Sequence, residues 1–115
     1  MKALKNCIKL SGQIRIYVPS TIKTKESFDS TAWVNDTLSL LSKEFGGATS
    51  TIALGAWVSA QGELIKENIT MVFAYAPQDK LEKSIETIYD FCISMKLSLK
   101  QESIALELNG EMYLL

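Results

Sequence analysis

Glu67 is the residue of this chain best placed to do chemistry. It lies in the run LIKENITMVFAYAP (64–77), among apolar residues at alternate positions. A carboxylate there can hold a cation, accept hydrogen bonds from a ligand, or take a proton. Spacing gathers a second set nearby: Trp57, Lys66 and Asn68 on one hairpin, and Arg15 and Tyr17 on an earlier strand. Aromatic faces beside cationic stems make a binding surface, not a catalytic constellation.

The chain contains no histidine. That removes Ser-His-Asp and Cys-His catalysis, His-ligated zinc and the commonest general base. Carboxylate, Lys or Tyr chemistry remains. Cys7 and Cys92 stand far apart, with no CxxC pair, which argues against a zinc site or a redox motif. Cys92 falls on a helical apolar stripe and reads as a small core residue. Gly46-Gly47 follows a helix instead of opening one and lacks the GxxxxGK[ST] pattern, so it is no phosphate loop. No metal and no cofactor are expected, and the balance leans away from an enzyme.

The elements that must position these residues read as follows. Gln13 to Val18 alternates, with Ile14, Ile16 and Val18 on one face and Gln13, Arg15 and Tyr17 on the other, as in a half-buried strand. Residues 1–12 either extend it or form a loose lead-in. Lys23 to Ser27 is polar and reads as a loop. A helix capped by Asp29 or Ser30 follows, with Val34, Leu38, Leu41 and Phe45 on its apolar stripe. Gly46-Gly47 ends it. After a hairpin, Asp79 and Glu82 form a capping-box variant. The second helix carries Leu81, Ile85, Ile88, Cys92, Met95 and Leu99 inward. Ser103 to Leu108 alternates again, and Asn109-Gly110 turns the chain into a short last strand.

The order is β-α-β-β-α-β plus a C-terminal β-strand. It predicts an α+β, ferredoxin-like split β-α-β fold, with two helices on one face of an antiparallel sheet and the first and third strands central. A length of 115 residues, 47% of them hydrophobic, suits one domain with a core of its own.

The central hairpin has apolar residues at even positions in its first strand (Ile52, Leu54, Val58) and odd positions in its second (Ile65, Ile69, Met71, Phe73). If both sets face the helices, Val58 pairs with Ile65 and Leu54 with Ile69, and the loop has two or four residues. Glu67 then lies on the helix-covered face opposite Ala56, near the rim or paired with a partner. Trp57 lies on the open face opposite Lys66, beside Asn68, Thr70 and Val72, with Arg15 and Tyr17 from the first strand and Ala105, Glu107, Met112 and Leu114 from the last hairpin. Such a face is too apolar for plain solvent contact and reads as an interaction surface.

Gly55-Ala56-Trp57, the turn glycine Gly62, Glu67 and Gln101-Glu102-Ser103-Ile104 together resemble a pattern found in small uncharacterised bacterial and phage-borne ferredoxin-like domains. The resemblance spans Gly46 to Asn109. It implies the same fold, no transferable activity, and a setting in phages or mobile elements of Gram-positive bacteria.

The leading expectation from the residues is a non-catalytic binding protein, oligomeric through its open sheet; the resemblance further implies a role as an inhibitor of host defence or a sponge for a signalling nucleotide. Its partners would be further copies of itself, another protein or a small nucleotide. The alternative is a small-ligand binder or enzyme using Glu67 in a sheet cleft. A nucleic-acid platform is disfavoured: net charge is −1, and the basic-Gly-aromatic strand signature is absent. No apolar run approaches a membrane span and no signal peptide is apparent, so the expected location is the cytoplasm.

Overall fold

A computed structural model describes residues 1–22 and 26–115. After a single 3-10 turn at Lys2–Leu4, the chain forms β1 (Gly12–Pro19), the two-residue strands β2 (Thr21–Ile22) and β3 (Glu26–Ser27), and α1 (Thr31–Phe45). Then come β4 (Thr49–Val58), β5 (Leu64–Ala76), α2 (Gln78–Ser98), β6 (Ala105–Leu108) and β7 (Glu111–Leu114). Five strands make one antiparallel sheet in the order β4-β5-β1-β6-β7. β1 and β5, the first and third long strands, are central. This is the ferredoxin-like arrangement expected, with β7 added at one edge. Part of the loop expected at Lys23–Ser27 lies outside the described residues, and its end, Glu26–Ser27, pairs with Thr21–Ile22.

The core forms where two periodicities meet. Ile14, Ile16 and Val18 of β1 and Val72, Ala74 and Ala76 of β5 are buried on one face of the sheet. Leu41 of α1 and Leu81, Ile88, Cys92 and Met95 of α2 close over them. Each of these side chains is a few per cent exposed at most, and burying one of the Ile, Leu, Val or Met side chains stabilises the fold by roughly 1.5–3 kcal/mol. Trp33 and Phe91 meet edge to face, with centroids 5.8 Å apart, and the buried Ser84 hydroxyl donates to Glu44 across the helix pair (2.9 Å).

The helix ends show how local chemistry sets boundaries. α1 is preceded by Asp29, whose carboxylate accepts from the Thr31 N–H at 3.0 Å; Ser30 makes no side-chain cap bond. The hydrogen bonds from the Thr31 hydroxyl and N–H hold the Asp29 carboxyl below its ordinary range. Gly46 (φ 89°) ends the helix in the left-handed conformation. α2 starts at Gln78 with Pro77 as its N-cap, two residues ahead of the expected Asp79 cap. Asp79 therefore sits in the first turn, where its negative charge is favoured by the positive end of the helix dipole instead of capping the end.

The hairpin register departs from expectation. The observed pairs are Trp57↔Ile65, Gly55↔Glu67, Leu54↔Asn68 and Ile52↔Thr70. Ser59 pairs with Glu63 through its N–H (2.8 Å), leaving Ala60-Gln61-Gly62 as a three-residue loop with Gly62 at φ 81°. The Ser59 hydroxyl oxygen accepts from the Gln61 and Glu63 N–H groups, fixing the turn. A type I turn closed by a left-handed glycine is the common three-residue hairpin, and its local bonds set the register here. The apolar parity of the two strands does not oppose it, because the distal half of β4–β5 extends past the helices as an arm. Ile52, Leu54, Val58 and Leu64 lie on the helix side of the sheet, yet all are exposed. The molecule is accordingly elongated, 54 × 27 × 21 Å.

Candidate functional site

The register settles which side chains share the open face. β1 contributes Arg15 and Tyr17, β4 contributes Gly55 and Trp57, β5 contributes Glu67, Ile69, Met71 and Phe73, and β6 contributes Ala105 and Glu107. Five placements from the sequence are thereby corrected. Glu67 is on the open face, opposite Gly55, and not under the helices opposite Ala56. Lys66 and Asn68 point to the helix side of the arm, both exposed there, so Trp57 faces Ile65 instead of Lys66. Thr70 and Val72 also face the helix layer, and Val72 is buried in the core. Arg15, Tyr17 and Trp57 keep the face assigned to them, and Glu67 joins them.

Glu67 is half-buried and pairs across the strands with Gly55, over which the Ile69 side chain leans. The Thr21 hydroxyl donates to its Oε1 at 2.8 Å. Thr21 is itself held by the Gln101 side-chain amide, which donates to the Thr21 carbonyl at 2.7 Å and the Leu99 carbonyl at 3.2 Å. Two hollows adjoin at Glu67. One, about 140 Å³, is lined by Tyr17, Pro19, Glu67, Ile69, Gln101 and Ser103. The other, about 290 Å³, is lined by Thr21, Ser27, Ile65, Lys66 and Asn68 as well as Glu67. Glu67 is the one ionisable group common to both.

Tyr17 connects this carboxylate to a second one. It lines the smaller hollow, and its hydroxyl donates to Glu107 Oε1 at 3.2 Å. Arg15 pairs across strands with both Glu107 and Phe73, and its guanidinium carbon lies 5.0 Å from the Phe73 ring centroid. The Arg15 Nε is buried with no hydrogen-bond partner. Such an orphaned buried donor is uncommon in folded proteins. The face thus offers two carboxylates, a tyrosine between them and an under-used guanidinium: a dipolar strip suited to a ligand carrying both charges.

Thr21, Gln101 and Ser103 were missed as site residues. The Gln101-Glu102-Ser103-Ile104 pattern is the one sequence signal that reaches two of them. Among the described residues no cluster of three or more Cys, Asp or Glu could hold a metal ion. A larger hollow of about 470 Å³ near Gly46 and Gly47 has no charged side chain on its walls. Cys92 is buried, and burial pushes its thiol up to about 12, so it is no nucleophile. No described helix is long and apolar enough to cross a membrane.

No family model matches the chain, and no curated protein matches it in sequence. Among solved structures, it is similar to a phage SAM lyase in complex with S-methyl-5'-thioadenosine, with a TM-score of 0.67 and 16% identity, covering 97% of this chain and 94% of that one. A phage SAM lyase in the apo state superposes with a TM-score of 0.60 at 17% identity, covering 91% and 88% of the two chains. A Bacillus cereus protein related to NIF3 gives a TM-score of 0.52 at 14% identity; the match covers 90% of this chain but only 25% of that one. At these identities the shared property is the fold.

Proposed function

We propose that this chain binds an adenosyl sulfonium compound of the S-adenosylmethionine type on its open sheet face and cleaves it to S-methyl-5'-thioadenosine. The observation that carries the reading is the position of Glu67: on the open face, opposite Gly55, and shared by two adjoining hollows. The full-length likeness to a SAM lyase supports it, as does the kind of ligand the face would accept. A sulfonium is a compact cation, attracted by carboxylates and by aromatic faces such as Tyr17. The amino-acid end of the substrate carries a carboxylate, for which the Arg15 guanidinium on the same face is the cationic partner.

The chemistry asks little of the protein. When the bond between sulfur and the aminobutyryl carbon breaks, its electron pair goes to sulfur and the sulfonium becomes a neutral thioether. The departing fragment either closes its own carboxylate onto that carbon or gives up a neighbouring proton to a base. The first route needs positioning alone; in the second, Glu67 is the carboxylate to take the proton. Neither route needs the histidine that the chain lacks.

The second reading is a binding protein without turnover: a sponge for a small nucleotide, or an inhibitor of host defence carried by a phage or mobile element. It is favoured by the phage source of two structural neighbours. Incubating the protein with S-adenosylmethionine and resolving the products by liquid chromatography separates the two. Release of S-methyl-5'-thioadenosine supports the lyase. A thermal shift with either compound and no release supports the sponge. Neither effect removes both small-ligand readings and leaves the protein-binding inhibitor. Glu67→Gln should lower turnover or affinity by about ten-fold or more, the equivalent of losing a charged hydrogen bond of ~1.5–3 kcal/mol. A Glu67→Gln protein that keeps full activity sinks the assignment of this site.

A further inference from the structure

The β4–β5 arm carries an unusual load of exposed apolar side chains on its helix-side face. Ile52 is 80% exposed, Leu54 63%, Val58 66% and Leu64 59%. These residues lie beyond the reach of the chain's own helices, and among the described residues nothing covers them. At the opposite edge of the sheet lies an apolar groove of about 260 Å³ between α2 and the β6–β7 hairpin, lined by Ile85, Tyr89, Leu108, Tyr113 and Leu115. Four strand spacings separate β4 from β7, roughly 20 Å, so the arm and the groove cannot meet within one chain.

We infer that the arm of one copy of this chain docks in the α2–β7 groove of another. The occupant is fixed by complementarity of shape and charge. A projecting two-stranded ridge of branched aliphatic side chains matches a concave wall of leucine, isoleucine and tyrosine. Lys66 stands on the same face of the arm as Leu54 and Val58, while Glu86 of α2 and Glu111 of β7 stand exposed beside the groove. A contact between two different patches links copies head to tail, and either pairs them reciprocally or closes a ring. It leaves the open face, with Glu67 and Tyr17, uncovered, although Lys66 borders both the contact and the larger hollow at Glu67; the inference does not rest on the proposed reaction.

The test is solution mass by light scattering after size exclusion, on the whole chain, with circular dichroism and thermal melts to verify folding. The wild-type protein should run as an oligomer of the 12.8 kDa chain. An arm variant (Ile52→Asp with Leu54→Asp) and a groove variant (Tyr89→Asp with Tyr113→Asp) should each run as a folded monomer. Because the arm substitutions lie outside the core, that variant should keep the fold even if the groove variant does not; Tyr113→Lys alone is the milder replacement. An equimolar mixture then carries one intact arm and one intact groove, and should form a one-to-one heterodimer of twice the chain mass. A monomeric wild type overturns the inference, as does an arm variant of unchanged mass. A folded groove variant that stays oligomeric points to an arm-to-arm contact and overturns it as well, as do monomeric variants that fail to pair on mixing.

Discussion

Two glycines make a paired experiment on how closely the backbone is packed. A Cβ built on Gly12 would lie 2.5 Å from Leu81 Cδ1 and 2.8 Å from the Ala76 carbonyl oxygen. Gly12 opens β1 against the end of β5, and Leu81 is buried in the first turns of α2. The carbonyl belongs to the ladder itself and cannot give way without opening it; the leucine can move only by disturbing the core. Gly12→Ala should therefore cost ~1–3 kcal/mol, as overpacking does, which is a fall of roughly 4–15 °C in Tm for a domain of this size. A Cβ on Gly55 meets something almost as near, at 2.7 Å, but that atom is Ile69 Cδ1, the free end of a flexible side chain on the open face. Gly55→Ala should cost less than ~1 kcal/mol, because the isoleucine can turn aside and alanine suits a strand better than glycine. Urea titration followed by Trp33 and Trp57 fluorescence measures both. A double-mutant cycle sharpens the first: with Leu81→Ala the Gly12→Ala penalty should shrink by about 1 kcal/mol or more. A neutral Gly12→Ala, or a Gly55→Ala equally damaging, would refute the packing argument.

Two other outcomes are expected. Of the two thiols, exposed Cys7 should react with a disulfide reagent at pH 8 while Cys92, buried and pushed up to about 12, reacts only on unfolding; stoichiometric labelling of both in the folded protein would contradict this. Asp29, held below its ordinary carboxyl range by Thr31, stabilises the folded state above about pH 3.8 and loses that contribution as pH falls through its folded-state value. Asp29→Ala should thus lower Tm at pH 7, and the difference from wild type should shrink once pH is well below 3.8; a gap independent of pH would assign the effect to something other than this carboxylate.

The core was legible from the sequence because it is built from elements with one wet side. β1 alternates, the α2 stripe recurs at helical spacing, and Asn109-Gly110 adopts positive φ at both positions, as its dipeptide demands. The hairpin failed for a physical reason. Matching apolar sets across β4 and β5 assumes that a helix layer covers both strands along their whole length. It covers only the proximal half, so the turn was free to choose the register, and Gly62 chose it. The site inherited that error. Arg15, Tyr17 and Trp57 were placed correctly because β1 is anchored to the core and Trp57 occupies an odd position of β4; Lys66, Asn68 and Glu67 were each placed on the opposite face. Thr21 and Gln101 reach Glu67 from segments distant in sequence, through hydrogen bonds that no spacing rule encodes.

The three-residue turn at Ala60–Gly62 has a consequence for how this protein can change over generations. β5 is clamped by its pairing with β1, whereas the outer part of β4 is held by β5 alone. Losing or gaining one codon in the turn would slide β4 by one position and exchange its two faces at a stroke. Trp57 and Gly55 would leave the side of Glu67, and Leu54 and Val58 would take their places. Point substitution would need several steps to rebuild the wall opposite the carboxylate so completely. A single in-frame insertion or deletion at an exposed loop accomplishes it without touching the core, which makes this turn the site where descendants of this chain can most abruptly acquire a different appetite for ligands.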